Sequence, residues 1–340
     1  MKAQQGKNMA TIYDVSVLAG VSLATVSRVM NKNTKVSEKT ENKVLDAMKQ
    51  LDYRPNAIAQ SLASSRSNSI GVLVSELHGP FYGAMMSGIE AELRTAKKHV
   101  IIAAGHSDEE SEKEGIEFLI DRRCDALILH VEAVSDEYLI ELSQGSTPIV
   151  LINRYIAELK DSCIYLDNQL GGYLATKAMI ESGHTALAYI SGPFWKVDTQ
   201  ARLAGYKQAL AESGLEFDPS LVYEGDYLET GGSRGFQALM KAERSFTALV
   251  CANDEMAAGA MDAARQLNVE IPSQVSIVGF DNIILANYIY PKLSTINYPI
   301  AEMGHMAARW VLRNTYKNKS LSIKNMFNPA LILRDSISSL

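Results

Sequence analysis

Asp198 and Arg202 stand one helical turn apart in VDTQARLAGY, so both side chains leave the same face at the start of a helix. A carboxylate that accepts, beside a planar guanidinium that donates, suits the vicinal hydroxyls of a sugar. The same spacing serves an intrahelical Asp to Arg pair, and both readings stay open. Three more polar residues end apolar, strand-like runs: Asn153 closes PIVLIN, Asn253 closes FTALVCAN and Asp281 closes VSIVGF. Ligands of open parallel α/β sheets bind at the carboxyl ends of strands, so these are candidate contacts, with helix capping as the alternative. For Asp254, directly before EMAAGAM, capping is the reading adopted. Phe81, in GPFYGAMM, offers a ring for the apolar face of a pyranose or, equally, for a core.

A second group lies near the N-terminus, in DVSVLAGVSLATVSRVMN. Thr11 can cap a helix from Ile12, and Asp14 completes a capping box. Val15, Leu18 and Ala19 then share a face. Gly20 suits a left-handed C-cap and Ser22 the next N-cap, which predicts a second helix from about Leu23 to Met30. Two short helices joined by a tight glycine turn form a helix-turn-helix, whose second helix presents its first residues to the major groove. Arg28 can donate twice to a guanine edge, and Leu23 and Ala24 can touch thymine methyls. Ser37 caps a third helix running to Leu51, with Val44, Ala47, Met48 and Leu51 on its apolar side.

Catalytic patterns are sparse. GGSRG, Gly231 to Gly235, fits GxSxG, but that pattern needs a strand running straight into a sharp turn, and here it opens a helix carrying Phe236, Leu239 and Met240. There is no GxGxxG, P-loop or HExxH, and His184 in SGHT reads as structural. Cys124, Cys163 and Cys251 sit far apart in apolar stretches without metal-ligand spacing, as buried reduced thiols would. Neither an enzyme nor a metal protein is indicated, and no cofactor is expected.

The elements that must position these groups follow from length and patterning. A chain of 340 residues is too long for one small core and suits a small module with a larger body. The net charge of −6 is unevenly placed: residues 1 to 68 carry ten Lys or Arg against five Asp or Glu, a head of +5 on a body of −11. A basic head is what a phosphate backbone attracts. Asn56 to Asn68 is small and polar at its far end and reads as a linker, helical only when supported. From Ser69 onward, runs such as SIGVLVSEL, VIIAAG, ALILHV, CIYLDN, ALAYISG and LVYEGD alternate with helical patterns, which means parallel sheets covered by helices. The strands are too many for one modest sheet and suit two lobes. The N-terminus lacks an apolar h-region and no apolar run approaches a membrane span, so a cytoplasmic protein is expected; Met9 is an alternative start.

The head TIYDVSVLAGVSLATVSRVMN, the VSEKT that opens helix three and YRPNAIAQSLA after it resemble the LacI/GalR family of bacterial repressors. The resemblance continues through RRCDALILH, VLINR, CIYLDN, GYLATK, RLAGY, FTALVCANDEMAAGAM and IPSQVSIVGFDN, and is nearest to the family's galactose branch. It implies an all-α helix-turn-helix domain (1–55), a hinge helix (56–68) and a two-lobed body of the periplasmic-binding-protein type (69–340). The lobes are expected at about 69–166 plus 298–325, and 167–297 plus 326–336. It implies DNA contacts from Thr11, Tyr13, Ser22, Thr25, Ser27 and Asn31 besides Leu23, Ala24 and Arg28. Asn56, Ala59, Leu62 and Ala63 would join them from the hinge, with Leu62 wedged into the minor groove as apolar side chains are at kinked steps. The effector, by the same resemblance, is D-galactose or a related sugar, with Arg202 its first anchor. The partners are a palindromic operator and a second copy of the chain. Gly79, PFWKVDTQ around Trp195, and Val131 to Thr147 depart from the branch pattern and bear on which effector is taken. A regulator with a corepressor, or a sugar-binding protein without DNA activity, are the other readings.

Overall fold

The computed structural model describes residues 10–31, 36–54, 66–242 and 244–340. They belong to two compact units divided between Ser67 and Asn68. In the first, α1 (Ile12–Ala19), α2 (Leu23–Asn31) and α3 (Glu38–Gln50) enclose a core of Val15, Ala19, Val26, Val29, Val44 and Ala47. Each buried valine contributes about 1.5–3 kcal/mol, so these few side chains decide whether so short a unit holds. Leu18, expected on the inner face of α1, is instead exposed, and Ser16 is buried in its stead. The apolar stripe of α1 is therefore narrower than its spacing predicts.

The second unit contains two six-stranded sheets. The first has the order β11-β5-β4-β3-β1-β2 and is parallel throughout: β1 (Ser69–Val74), β2 (His99–Ala104), β3 (Ala126–Leu129), β4 (Ile149–Ile152), β5 (Cys163–Leu166) and β11 (Met326–Phe327). The second has the order β12-β10-β9-β8-β6-β7: β6 (Leu187–Ser191), β7 (Val222–Glu224), β8 (Ala248–Cys251), β9 (Ser276–Asp281), β10 (Ser294–Asn297) and β12 (Ala330–Ile332). Only β12 runs antiparallel, against β10. Central strands such as β3, β4 and β8 are buried at every position, which is why they read as unbroken apolar runs.

Helices cover the sheets: α4 (Pro80–Thr95), α5 (Glu109–Asp121), α6 (Asp136–Ser143), α7 (Asn168–Glu181), α8 (Val197–Glu212), α9 (Glu229–Leu239), α10 (Asp254–Gln266) and α11 (Ile300–Asn314). The chain passes from one sheet to the other after β5, after β10 and after β11. The last passage falls beyond Phe327, since Met326 and Phe327 pair with β5; the expected lobe boundary at 326 therefore shifts by two residues. Helices α7 and α8 cross where both carry glycine. A Cβ on Gly172 would land on the Arg202 carbonyl oxygen, and one on Gly205 on that of Gln169. This close approach seats the first turns of α8 over the carboxyl edge of the second sheet.

Candidate functional sites: a helix-turn-helix head and an interlobe cleft

Local chemistry builds the head as its sequence dictates. The Thr11 hydroxyl accepts from the Asp14 N–H at 3.3 Å, and the Thr11 N–H donates to the Asp14 carboxylate at 2.8 Å. The Thr11 N–H and the Thr11 hydroxyl, which also donates to the Asp14 carboxylate at 2.8 Å, hold that carboxyl below its usual range. Gly20, at φ 65°, ends α1 in the left-handed conformation that costs other residues energy. The Ser22 hydroxyl then accepts from the Thr25 N–H at 3.2 Å to start α2. The two helices meet at 105°, inside the range of DNA-reading pairs. On the outer side Thr11, Tyr13, Ser22, Leu23, Ala24 and Arg28 are exposed, while Thr25 and Ser27 are half-buried; the Asn31 backbone closes α2. The hinge positions Asn56, Ala59, Leu62 and Ala63 lie outside the described residues.

Between the two sheets of the body lies a cavity of about 380 Å³, walled by the carboxyl ends of β1, β2, β3 and β4 on one side and of β6, β7, β8 and β9 on the other. Phe81, Asn153, Asp198, Arg202, Asn253 and Asp281 all lie on its wall. Arg202 is the hub. Its Nε donates to Asn168 Oδ1 at 2.9 Å, one Nη donates to the Ala252 carbonyl, and its plane stacks on Phe280 with 3.8 Å to the centroid. Asp198 and Asp281 lie 3.6 and 3.8 Å from its nitrogens. Burial opposes the guanidinium's charge, but Tyr227, Asp198 and Asp281 around it keep it firmly protonated. The intrahelical pair and the cavity-facing position are thus both present in Arg202.

Asp281 closes β9 at φ 108°, a conformation that costs a non-glycine residue about 1–3 kcal/mol and persists where surroundings impose it. Its Oδ1 is buried without a hydrogen bond, and burial raises its carboxyl well above the usual range despite Arg202. Asn153 is likewise left-handed, at φ 59°, and accepts from Asn168 Nδ2 at 3.1 Å. Asn168 therefore ties a strand end of one lobe to the arginine of the other. Asn253 caps α10, accepting from the Met256 N–H at 2.9 Å, and donates to the Tyr227 carbonyl at 2.8 Å. The capping role assigned to Asp254 belongs to Asn253. Asp254 is already helical and fully buried, and accepts from the Thr295 hydroxyl and the Ile283 N–H. Phe81 meets Tyr298, Tyr82 and His130 edge to face while still facing the cavity, so its core and wall roles coexist.

Several wall residues escape sequence reasoning. His130 directly follows β3 within ALILH, the same strand-end signal that marked Asn153. Its Nδ1 meets Ser75 Oγ at 3.1 Å, its Nε2 is buried without a partner, and burial lowers its pKa, so the ring is neutral and free to bond a ligand. Trp195, Tyr82 and Tyr227 add aromatic faces, and Glu132 and Lys196 meet across the cavity. GGSRG lies inside α9, where a Cβ on Gly232 would strike the Met256 carbonyl oxygen; its glycines permit helix packing, and Ser233 has no elbow. His184 bonds Thr247, Ser276 and the Ser338 carbonyl, a structural tie to the C-terminal segment. The three cysteines are buried thiols, and burial pushes Cys124 up to about 11.

Residues 11–56 match the model of bacterial regulatory proteins of the lacI family, and residues 176–337 match a periplasmic binding protein-like domain. The transcriptional regulator GalR of Escherichia coli is 39% identical over 97% of this chain and 96% of its own length. The ribose operon repressor of Haemophilus influenzae is 36% identical over 98% and 100%. The structure of the lac repressor dimer bound to operator and the anti-inducer ONPF superposes with a TM-score of 0.86, at 27% identity, over 97% of this chain and all of that one. A DNA-reading head, a two-lobed body with a lined cleft and full-length similarity of this degree have one meaning: the chain belongs to the LacI family of DNA-binding transcriptional regulators.

Proposed function

We propose that the protein is a dimeric repressor that holds a palindromic operator through its heads and is released when a neutral hexose of the D-galactose type fills the interlobe cleft. The carrying observation is the cleft's chemistry. The buried His130 Nε2 and Asp281 Oδ1 lack hydrogen-bond partners and stand on a wall that also holds Asp198, Asn153 and the rings of Phe81, Trp195 and Tyr227. Orphaned polar atoms beside aromatic faces match a molecule with hydroxyls on its edge and C–H groups on its face.

Charge narrows the class. Six carboxylates line the cavity (Glu76, Glu132, Asp198, Asp226, Glu255 and Asp281) against the cations Lys196 and Arg202, both already engaged with carboxylates. A phosphorylated or acidic sugar would meet net negative charge in a poorly solvated site, whereas a neutral polyol pays no such penalty. Similarity to GalR and to a ribose operon repressor supports a sugar-linked repressor. Asn153, Asp198, Arg202, Asn253, Asp281 and Phe81 are the effector contacts in this reading, with His130 added. On DNA, Arg28, Leu23 and Ala24 read bases, with Thr11, Tyr13, Ser22, Thr25, Ser27 and Asn31 supporting them. Asn56, Ala59, Leu62 and Ala63 would engage the operator centre. The regulator acts in the bacterial cytoplasm, without catalysis.

Calorimetric titration with D-galactose, galactose 6-phosphate and galacturonate tests the cleft. Binding of galactose alone supports the reading, and binding of the phosphate or the acid in its place overturns it.

A further inference from the structure

The segment after β3 and the segment before α8 are far apart in sequence and meet in space through an ion pair. Lys196 Nζ lies 2.6 Å from Glu132 Oε2, and both side chains are nearly buried, at 11% and 14% exposure. Glu132 follows β3 in the first lobe, and Lys196 precedes α8 in the second. Ser107, from the segment after β2, completes the contact: its hydroxyl donates to the same carboxylate oxygen and lies 3.2 Å from Lys196 Nζ. His106 and Ser107 are both left-handed, at φ 53° and 51°, a pair of disfavoured conformations that turns Ser107 onto Glu132. The rings of Trp195 and Tyr227 lie 5.5 and 5.4 Å from the ammonium, centroid to nitrogen. The Glu112 carboxylate in turn accepts from the N–H groups of Glu132, Ala133 and Val134, fixing the loop that carries the acid.

Glu132 and Lys196 also line a second cavity of about 20 Å³, together with Ile152 and Arg154. The pair thus borders both the main cleft and this small pocket. Burial alone would raise the Glu132 carboxyl, but Lys196 beside it and the hydrogen bond from Ser107 hold it below its usual range.

We propose that Glu132, Ser107 and Lys196 form a cross-lobe latch, which holds the effector-free cleft closed and sets how fast a neutral sugar enters. Any motion that parts the two lobes at this edge must separate the pair and give up the Ser107 bonds to it, a loss that rehydration of the two charges offsets in part. The latch rests on the reading of the cleft as the effector site only for its effect on sugar entry; its effect on the lobes stands without a ligand.

Hydrogen exchange on the full-length, effector-free protein tests it, with E132Q, K196M and the double variant E132Q/K196M, which leaves no unpaired buried charge. K196M should speed exchange in the opposite lobe, at residues 105–108 and 130–134, and E132Q at 194–200, each by about threefold or more. The double variant should show no more than either single and well under their sum, because all three lose one shared contact and only the singles leave a buried charge unpaired. Exchange confined to the lobe that carries the substitution, or effects that add in the double variant, would overturn the latch. Stopped-flow Trp195 fluorescence then reads galactose entry, which should quicken in the double variant by about the same factor. Altered cross-lobe exchange in a protein that takes up no sugar would keep the latch and retire the effector reading. Galactose binding with unaltered cross-lobe exchange would do the reverse.

Discussion

Replacing Arg202 by methionine keeps most of the side chain's length and removes the guanidinium. Three losses follow from its surroundings. Asn168 Oδ1 and the Ala252 carbonyl each lose a donor at a buried position, at about 1–3 kcal/mol apiece. Asp198 and Asp281 lose the cation beside them, and breaking a buried pair costs about 3–5 kcal/mol. Asp281, whose carboxyl burial already raises well above its usual range, offsets part of that by taking up a proton more readily once the guanidinium is gone. The methionine retains apolar contact with Phe280. A net destabilisation of about 3–5 kcal/mol is expected, a large share of the roughly 5–15 kcal/mol that holds a domain together. Urea unfolding followed by tryptophan fluorescence measures it. At a temperature where the variant is folded, operator affinity should persist while the sugar response falls by more than about tenfold, one lost charge-assisted bond being sufficient. Sugar affinity within twofold of the parent would remove Arg202 from the site, and a stability change below about 1 kcal/mol would refute the buried-hub reasoning.

Three other outcomes are expected. Arg28→Ala should cost about 1–3 kcal/mol of discrimination at a single operator position and flatten the salt dependence only slightly, read by binding to a set of single-base operator variants. Leu62→Ala should lower operator specificity and leave sugar affinity unchanged; unaltered specificity removes the hinge wedge. Burial pushes the Asp254 carboxyl up to about 7, above its unfolded value of 3.8, so the folded chain keeps a proton that the unfolded chain has released. The stability this group contributes is complete below pH 3.8 and is lost as pH rises through 7. Asp254→Asn should therefore reduce the loss of stability between pH 5 and pH 7 by about 2 kcal/mol, the linkage slope being about 1.4 kcal/mol per unit. Identical pH profiles for the two proteins contradict the assignment.

Local rules carried most of the head. Thr11, Asp14, Gly20 and Ser22 act on neighbours three or four residues away, so their roles are visible in sequence. Leu18 was misjudged because helical spacing defines a stripe and not which edge of it the other helices cover. Asn253 and Asp254 are both good caps; the choice falls on Asn253 because it still has extended backbone where Asp254 has entered the helix. Strands β1 to β9 announce themselves as apolar runs, whereas β11 and β12 are two and three residues long, too short for any periodicity. Within the cleft, strand-end polar residues were legible one by one, and His130 passed unnoticed although it satisfies the same rule. The Glu132 to Lys196 contact joins residues 64 apart in different lobes, which no local pattern encodes.

The central claim couples two units of the molecule: sugar in the cleft weakens the grip of the heads. Because a ligand shifts an equilibrium only by its differential affinity for two states, the coupling must appear in either direction. The most direct measurement is the affinity of the full-length protein for a symmetric operator of the galactose type at fixed salt, with and without saturating D-galactose. The account predicts weakening of about fivefold or more, the usual span of allosteric coupling. Operator binding unchanged by galactose, or tightened by it, would contradict the account.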